Sequence, residues 1–226
     1  MTYLRNHAMK TSSELIQLGP LEQLLAGRIV RRLIQLAAGL VIYGLSMAMM
    51  IRGNLGLAPW DALHIGVTRH LPLSFGAVVV GISVVVLLLW LPLREIPGLG
   101  TVANALIIGT VAELALQYSD SPANIAERIA LTFGGILLCG VGSAMYIGAQ
   151  LGRGPRDGLM TGLHRVTGYS LRAVRTALEI SVLAIGIALG GTALFGPGTV
   201  LFALCIGPLT QAMLPRMLVT LERPVS

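Results

Sequence analysis

Leu55-Gly56-Leu57-Ala58-Pro59-Trp60-Asp61-Ala62-Leu63 recurs 96 residues later as Leu151-Gly152-Arg153-Gly154-Pro155-Arg156-Asp157-Gly158-Leu159. Apolar sequence repeats Leu, Ala and Gly by chance. It rarely repeats the ordered string Leu-Gly-x-x-Pro-x-Asp-x-Leu. At the same offset, Gly39, Gly44, Ala48, Met49 and Ile51 fall on Gly135, Gly140, Ala144, Met145 and Ile147. Downstream, Gly66, Arg69 and Ser74 fall on Gly162, Arg165 and Ser170. After a slip of two residues, Gly98-Leu99-Gly100-Thr101-Val102 falls on Gly196-Pro197-Gly198-Thr199-Val200. The chain is a duplication.

The duplicated unit belongs in a bilayer. Hydrophobic residues make up 54% of the chain and charged residues 12%, about half the charged share of a soluble domain. Mean hydropathy is +0.80. A helix that crosses the hydrocarbon core needs about 20 largely apolar residues. Six runs meet or approach that length, at 33–51, 75–93, 98–117, 129–148, 174–189 and 199–217, three in each copy. Between the first two runs of each copy lies a shorter segment, 61–71 and 157–167. Each is too short to cross and reads as a re-entrant or interfacial helix. The expected fold is all-α and polytopic, with a tail at 1–27, repeats at 28–120 and 121–218, and a second tail at 219–226. A short surface helix broken at Pro20 is expected within 15–25.

Charge gives the orientation. The net charge is +6, and the basic residues flank apolar runs rather than forming a nucleic-acid footprint. Arg5, Lys10, Arg28, Arg31 and Arg32 precede the first run, and Arg153, Arg156, Arg165 and Arg172 follow the fourth. The opposite loops are poorer, so both termini are expected in the cytoplasm. Three spans per unit is an odd number, so the second copy must enter the membrane upside down. The copies agree with that: Leu57, Trp60 and Gly76 of the first become Arg153, Arg156 and Arg172 of the second. The two Pro-x-Asp corners are then expected on opposite sides. Inverted repeats of this kind are common in secondary transporters.

In the repeated motif, Gly permits an unusual backbone, Pro suits the first turn of a helix, and Asp can cap that helix. One reading ends there, with a turn that sets the angle of the short helix. The other makes each corner a broken helix facing a solute path. Pro59, Asp61, Arg153, Pro155, Arg156 and Asp157 are then path candidates, with the two Asp as polar lining and the two Arg as charge selectors. The arginines favour an anion and the carboxylates a cation or a proton relay. Glu113 and Glu179, acidic residues within spans, join the candidates, divided between structural pairing and an ion path. Glu179 lies four residues after Arg175 and can pair with it. Gly44-x-x-x-Ala48 and Gly140-x-x-x-Ala144 suit close packing of the first and fourth spans. The doubled Gly-x-Gly-Thr is expected to start the third and sixth helices in a tight turn. His64, His70 and His164 stand at segment edges, where headgroups are expected. No spacing joins them into a metal site, and no cofactor loop, disulfide framework or catalytic constellation emerges.

Around the doubled motif, at 56–63, 152–164 and 196–207, the sequence resembles the YczE-like integral membrane proteins, and more weakly the broader YitT and YyaS group. The likeness covers roughly 31–216. It implies a bacterial plasma-membrane protein of largely unassigned role, and it carries over no catalytic or binding residue. The leading expectation is a non-enzymatic secondary transporter or permease for a small solute of undecided charge. The rival is a non-transporting accessory or regulatory protein that docks a partner, whether a membrane protein or a second copy; a lipid-handling flippase, with a groove open sideways to the bilayer, is the third reading. A transporter calls for a polar cavity reaching both motifs, an accessory protein for a dry, packed interface.

Overall fold

The computed structural model of the protein describes residues 19–221. Every regular element among them is helical: α1 (Pro20–Leu25), α2 (Ile29–Gly53), α3 (Pro59–Thr68), α4 (Phe75–Leu93), α5 (Leu99–Gln117), α6 (Ile125–Gly148), α7 (Pro155–Thr167), α8 (Leu171–Gly190) and α9 (Pro197–Met217), with a 3-10 turn at Thr192–Leu194. Six of these, α2, α4, α5, α6, α8 and α9, are long and apolar enough to cross a membrane. Their outward faces are apolar too. The most hydrophobic window of α4 averages 2.6 in hydropathy, yet only 28% of it is buried inside the protein. A soluble fold would not leave such a surface to water. The expected N-terminal surface helix begins at Pro20 rather than breaking there, as suits a residue with no N–H to contribute. Residues 15–18, and the charges at Arg5, Lys10 and Arg223, lie outside the described residues.

Spans α2 and α6, equivalent in the two copies, pack along each other at the centre. Glycines bring them together. A Cβ on Gly39 would lie 2.8 Å from Met145 Cβ, and one on its counterpart Gly135 would lie 2.7 Å from Met50 Cγ. The first-and-fourth contact expected from the sequence exists, but Gly44 and Gly140 do not make it. A Cβ on Gly44 would meet Val111 of α5, and one on Gly140 would meet Leu209 of α9, each within 3.0 Å. Those two glycines join the first span of each copy to the third.

The copies complete one another at their corners. Leu55 O accepts the N–H of Gly198 at 2.7 Å, and its counterpart Leu151 O accepts the N–H of Gly100 at 2.6 Å. Gly56 has φ +108° and Gly152 φ +124°. Beyond that backbone requirement, a Cβ on Gly56 would lie 2.6 Å from Gly196 N, and one on Gly152 3.0 Å from Gly98 Cα. Gly98 and Gly196 do start α5 and α9 in tight turns. Each donates its N–H to the Thr Oγ1 three residues on, at 3.0 Å for Thr101 and 3.3 Å for Thr199.

Two arginines close the ends of the central pair. Arg32, fully buried, donates to Ala149 O at 2.8 Å and Gln150 O at 2.7 Å, the unsatisfied carbonyls just past α6. Arg128, its counterpart, donates to Gly53 O at 3.0 Å and to Asn54 O, just past α2. The sequence counts Arg32 among the charges that precede the first apolar run. It is a buried cap, because the end of α6 has carbonyls that nothing else satisfies. At the same end of the molecule, Val219 N donates to Gly148 O at 3.0 Å, which fastens the residue after α9 to α6.

The short helices also cross between copies: α3 packs on α8 and α7 on α4. Gly66 of α3 abuts Leu189, and Gly162 of α7 abuts Leu93, both at 3.0 Å from a would-be Cβ. Residues 28–120 and 121–218 therefore share one interior rather than forming separate bodies.

Candidate functional site

Pro59 and Pro155 open α3 and α7 as the first-turn rule expects. The Asp residues of the motif do not act as N-caps. Ala58 and Gly154 hold that position without side-chain bonds, and the acids lie three residues further in. Asp157 Oδ2 instead accepts the hydroxyl of Tyr146. Asp61, 2% exposed, lies 3.8 Å from His64 Nδ1, too long for a hydrogen bond. His64 is 3% exposed and faces the Phe75 ring edge-on, with centroids 6.0 Å apart. This corrects its expected headgroup position: α3 turns that side inward. His70 and His164 are exposed, each with a ring nitrogen on a backbone carbonyl, of Leu189 and Tyr169.

From corners at opposite ends of the α2–α6 pair, the first turns of α3 and α7 reach toward each other. The Arg156 guanidinium lies 5.4 Å from the Trp60 ring centroid and 5.7 Å from that of Tyr43. Its Nη2 donates to Tyr43 Oη at 3.1 Å. Trp60 and Arg156 are counterparts in the repeat, so the two copies meet there. The C-terminal ends of α3 and α7 lie apart, α3 beside the end of α8 and α7 beside the end of α4.

Around Arg156 is a cavity of about 170 Å³, lined from the first corner by Ala58, Pro59 and Trp60 and from the second by Gly154, Arg156 and Asp157. Arg175 and Glu179 of α8 line it, as do Ile206, Gly207, Thr210 and Gln211 of α9. The expected Arg175–Glu179 pair is present at 2.8 Å. Of the sequence candidates, the structure brings Pro59, Arg156, Asp157 and Glu179 to the cavity. It does not bring Asp61, Arg153, Pro155 or Glu113. Arg153 donates to Thr161 at 2.8 Å and lies 3.9 Å from Glu95. The Pro155 carbonyl accepts the indole N–H of Trp90 at 2.9 Å. Glu113 accepts the N–H of Gly76 at 2.8 Å and so caps the first turn of α4. That is a structural pairing, favourable to a carboxylate at the positive end of a helix.

Tyr43, Trp60, Asn104 and Tyr146 line the cavity without having been among the path candidates. A signal did exist. At these positions the repeat breaks while the side chain is polar or aromatic: Tyr43 stands opposite Cys139, Trp60 opposite Arg156, and Tyr146 opposite Met50. Among the described residues, no group of three or more His, Cys, Asp or Glu could hold a metal ion.

Among the described residues, the helix crossing that borders the cavity is closed in the first unit and open in the second. In the first unit α4 and α5 pack tightly, with a would-be Cβ on Gly76 2.7 Å from Gly109 O. The counterparts in the second unit are Arg172, which is exposed, and Gly207, whose Cβ position faces open space. The cavity is bordered on one side by α8 and α9 where they stand apart.

Residues 30–215 match a family described as "Family of unknown function (DUF6198)". An uncharacterized protein of Haemophilus influenzae is 38% identical over 175 residues, 77% of this chain and 79% of that one. The uncharacterized membrane protein YczE of Bacillus subtilis is 30% identical over 192 residues, 84% of this chain and 88% of its own. The uncharacterized protein YyaS of the same organism is 28% identical over 181 residues, 78% and 89% of the two chains. No solved structure matches.

Proposed function

This chain belongs to the DUF6198 family, and from that premise we propose that it is a small secondary transporter or permease whose two units sit inverted in a bacterial inner membrane. The observation that carries the reading is the inequality of two equivalent crossings. α4 closes on α5 at Gly76 and Gly109, while α8 stands off α9 around a polar cavity that touches both corners. In a repeat-built transporter the units exchange such conformations, and the central site faces one side at a time. With both termini cytoplasmic, the cavity faces the cytoplasm, because it lies toward the start of α8 and the end of α9. α3 and α7 act as re-entrant helices, and Asp61 and His64 supply a buried titratable pair for coupling to protons. An accessory protein would call for a dry, packed interior between the corners, so the cavity favours transport.

Reconstitution into liposomes with a broad panel of small solutes tests the reading, with Asp61→Asn and Asp157→Asn as comparisons. If no solute moves and both variants behave as wild type in cells, the transport reading fails. A second test addresses the exchange itself. After Cys139 and Cys205 are replaced by Ser, Arg172→Cys with Gly207→Cys should cross-link when the second unit closes as the first does, and the link should block uptake. For topology, Asp120→Cys and Tyr169→Cys should react with an impermeant thiol reagent from opposite compartments. Reaction of both from the same side would refute the inverted arrangement.

A further inference from the structure

The charges around the cavity are not equally satisfied. Asp157 accepts the hydroxyl of Tyr146, and Glu179 is paired with Arg175 at 2.8 Å. Arg156 has no carboxylate oxygen within 4.0 Å among the described residues, and its hydrogen bond to Tyr43 leaves most of the guanidinium donors without a protein acceptor. Asp61 and Asp157 act on it only through space. The rings of Tyr43 and Trp60 hold the cation by their faces without neutralising it. A planar guanidinium left with a free edge matches a carboxylate in two parallel hydrogen bonds. The rest of the lining is mixed, with Met160, Phe202 and Ile206 apolar and Asn104 and Thr210 polar. At about 170 Å³ the space compares with the roughly 150 Å³ cavity that accepts benzene.

We propose that the cavity binds a small organic monoanion, its carboxylate on Arg156 and a short, largely apolar body against Phe202 and Ile206. This rests on reading the cavity as a solute site, and it settles the charge that the sequence left undecided.

The experiment is calorimetric titration of the purified full chain with butyrate and with butylammonium, two probes of similar size and opposite charge. Butyrate is expected to bind at least tenfold more tightly, and Arg156→Gln to weaken it at least tenfold. Tighter binding of butylammonium, binding of neither probe, or undiminished butyrate binding by Arg156→Gln would each overturn the proposal. The comparison of probes uses the wild-type chain, so it stands even where the variant does not fold. Butyrate binding without movement of any solute into liposomes would uphold this inference and sink the transport reading. Uptake confined to cationic solutes would do the reverse.

Discussion

The corner at Gly56 and the corner at Gly152 are made by the same backbone and hold different chemistry. Each has a left-handed glycine, a carbonyl that accepts an amide from the other unit, and an arginine from the other unit closing the preceding helix. Inside that common frame, Asp61 is buried beside His64, whereas Asp157 meets Tyr146 at a cavity. Trp60 offers a ring where its counterpart Arg156 offers a charge. The difference extends to the next helices: the α4–α5 crossing is shut and the α8–α9 crossing is open. What is shared builds the frame. What is not shared builds the site.

That division can be broken or sharpened by pairs of equivalent substitutions. The largest effect is expected at the corner glycines. Gly56→Ala forces a side chain into a positive-φ backbone and sets its Cβ 2.6 Å from a backbone nitrogen, which should cost about 4 kcal/mol. Gly152→Ala, with 3.0 Å to its nearest neighbour, should cost about 2–3 kcal/mol. Thermal unfolding of the purified chain reads both, and a loss under about 1 kcal/mol at either site would mean that the frame does not depend on that corner. Next come the arginine caps. Arg32→Ala strands buried carbonyls and should cost about 3 kcal/mol, whereas Arg128→Ala, at a more exposed end, should cost about 1–2 kcal/mol. Equal losses in the same unfolding measurement would contradict the difference in burial. Trp90→Phe removes the hydrogen bond to the Pro155 carbonyl and should cost about 1 kcal/mol. The smallest effect belongs to Glu113→Gln, where the amide oxygen still accepts from Gly76. A loss of about 0.5 kcal/mol is expected, with butyrate binding unchanged. Altered butyrate binding in that variant would place Glu113 in the solute path after all.

Much of the frame was legible in the sequence. The ordered repeat located both corners, Pro59 and Pro155 started their helices, and the Gly-x-Gly-Thr strings started α5 and α9. The spans were found to within a few residues; α2 begins at Ile29 rather than 33, because Arg32 is buried instead of ending the apolar run. The site was less legible for a physical reason. A helix that faces lipid is apolar on the outside as well as the inside, so periodicity does not reveal which side faces the protein. The broken repeat marks Tyr43 itself, but nothing in the apolar run around it indicates that its hydroxyl meets Arg156. Nor does Glu113, a rare acid in a span, reveal that the helix end it caps is 37 residues away in sequence.

The exchanged hydrogen bonds at Leu55 and Leu151 bear on how such a chain could have arisen. A single unit on its own would lack both the amide donor for its corner and the arginine for its first long helix. It could have acquired them only from a sister molecule, so the ancestor is most simply a homodimer whose two identical subunits were later joined end to end. Once they were joined, each half was free to lose features the other retained, and a tryptophan could come to face an arginine.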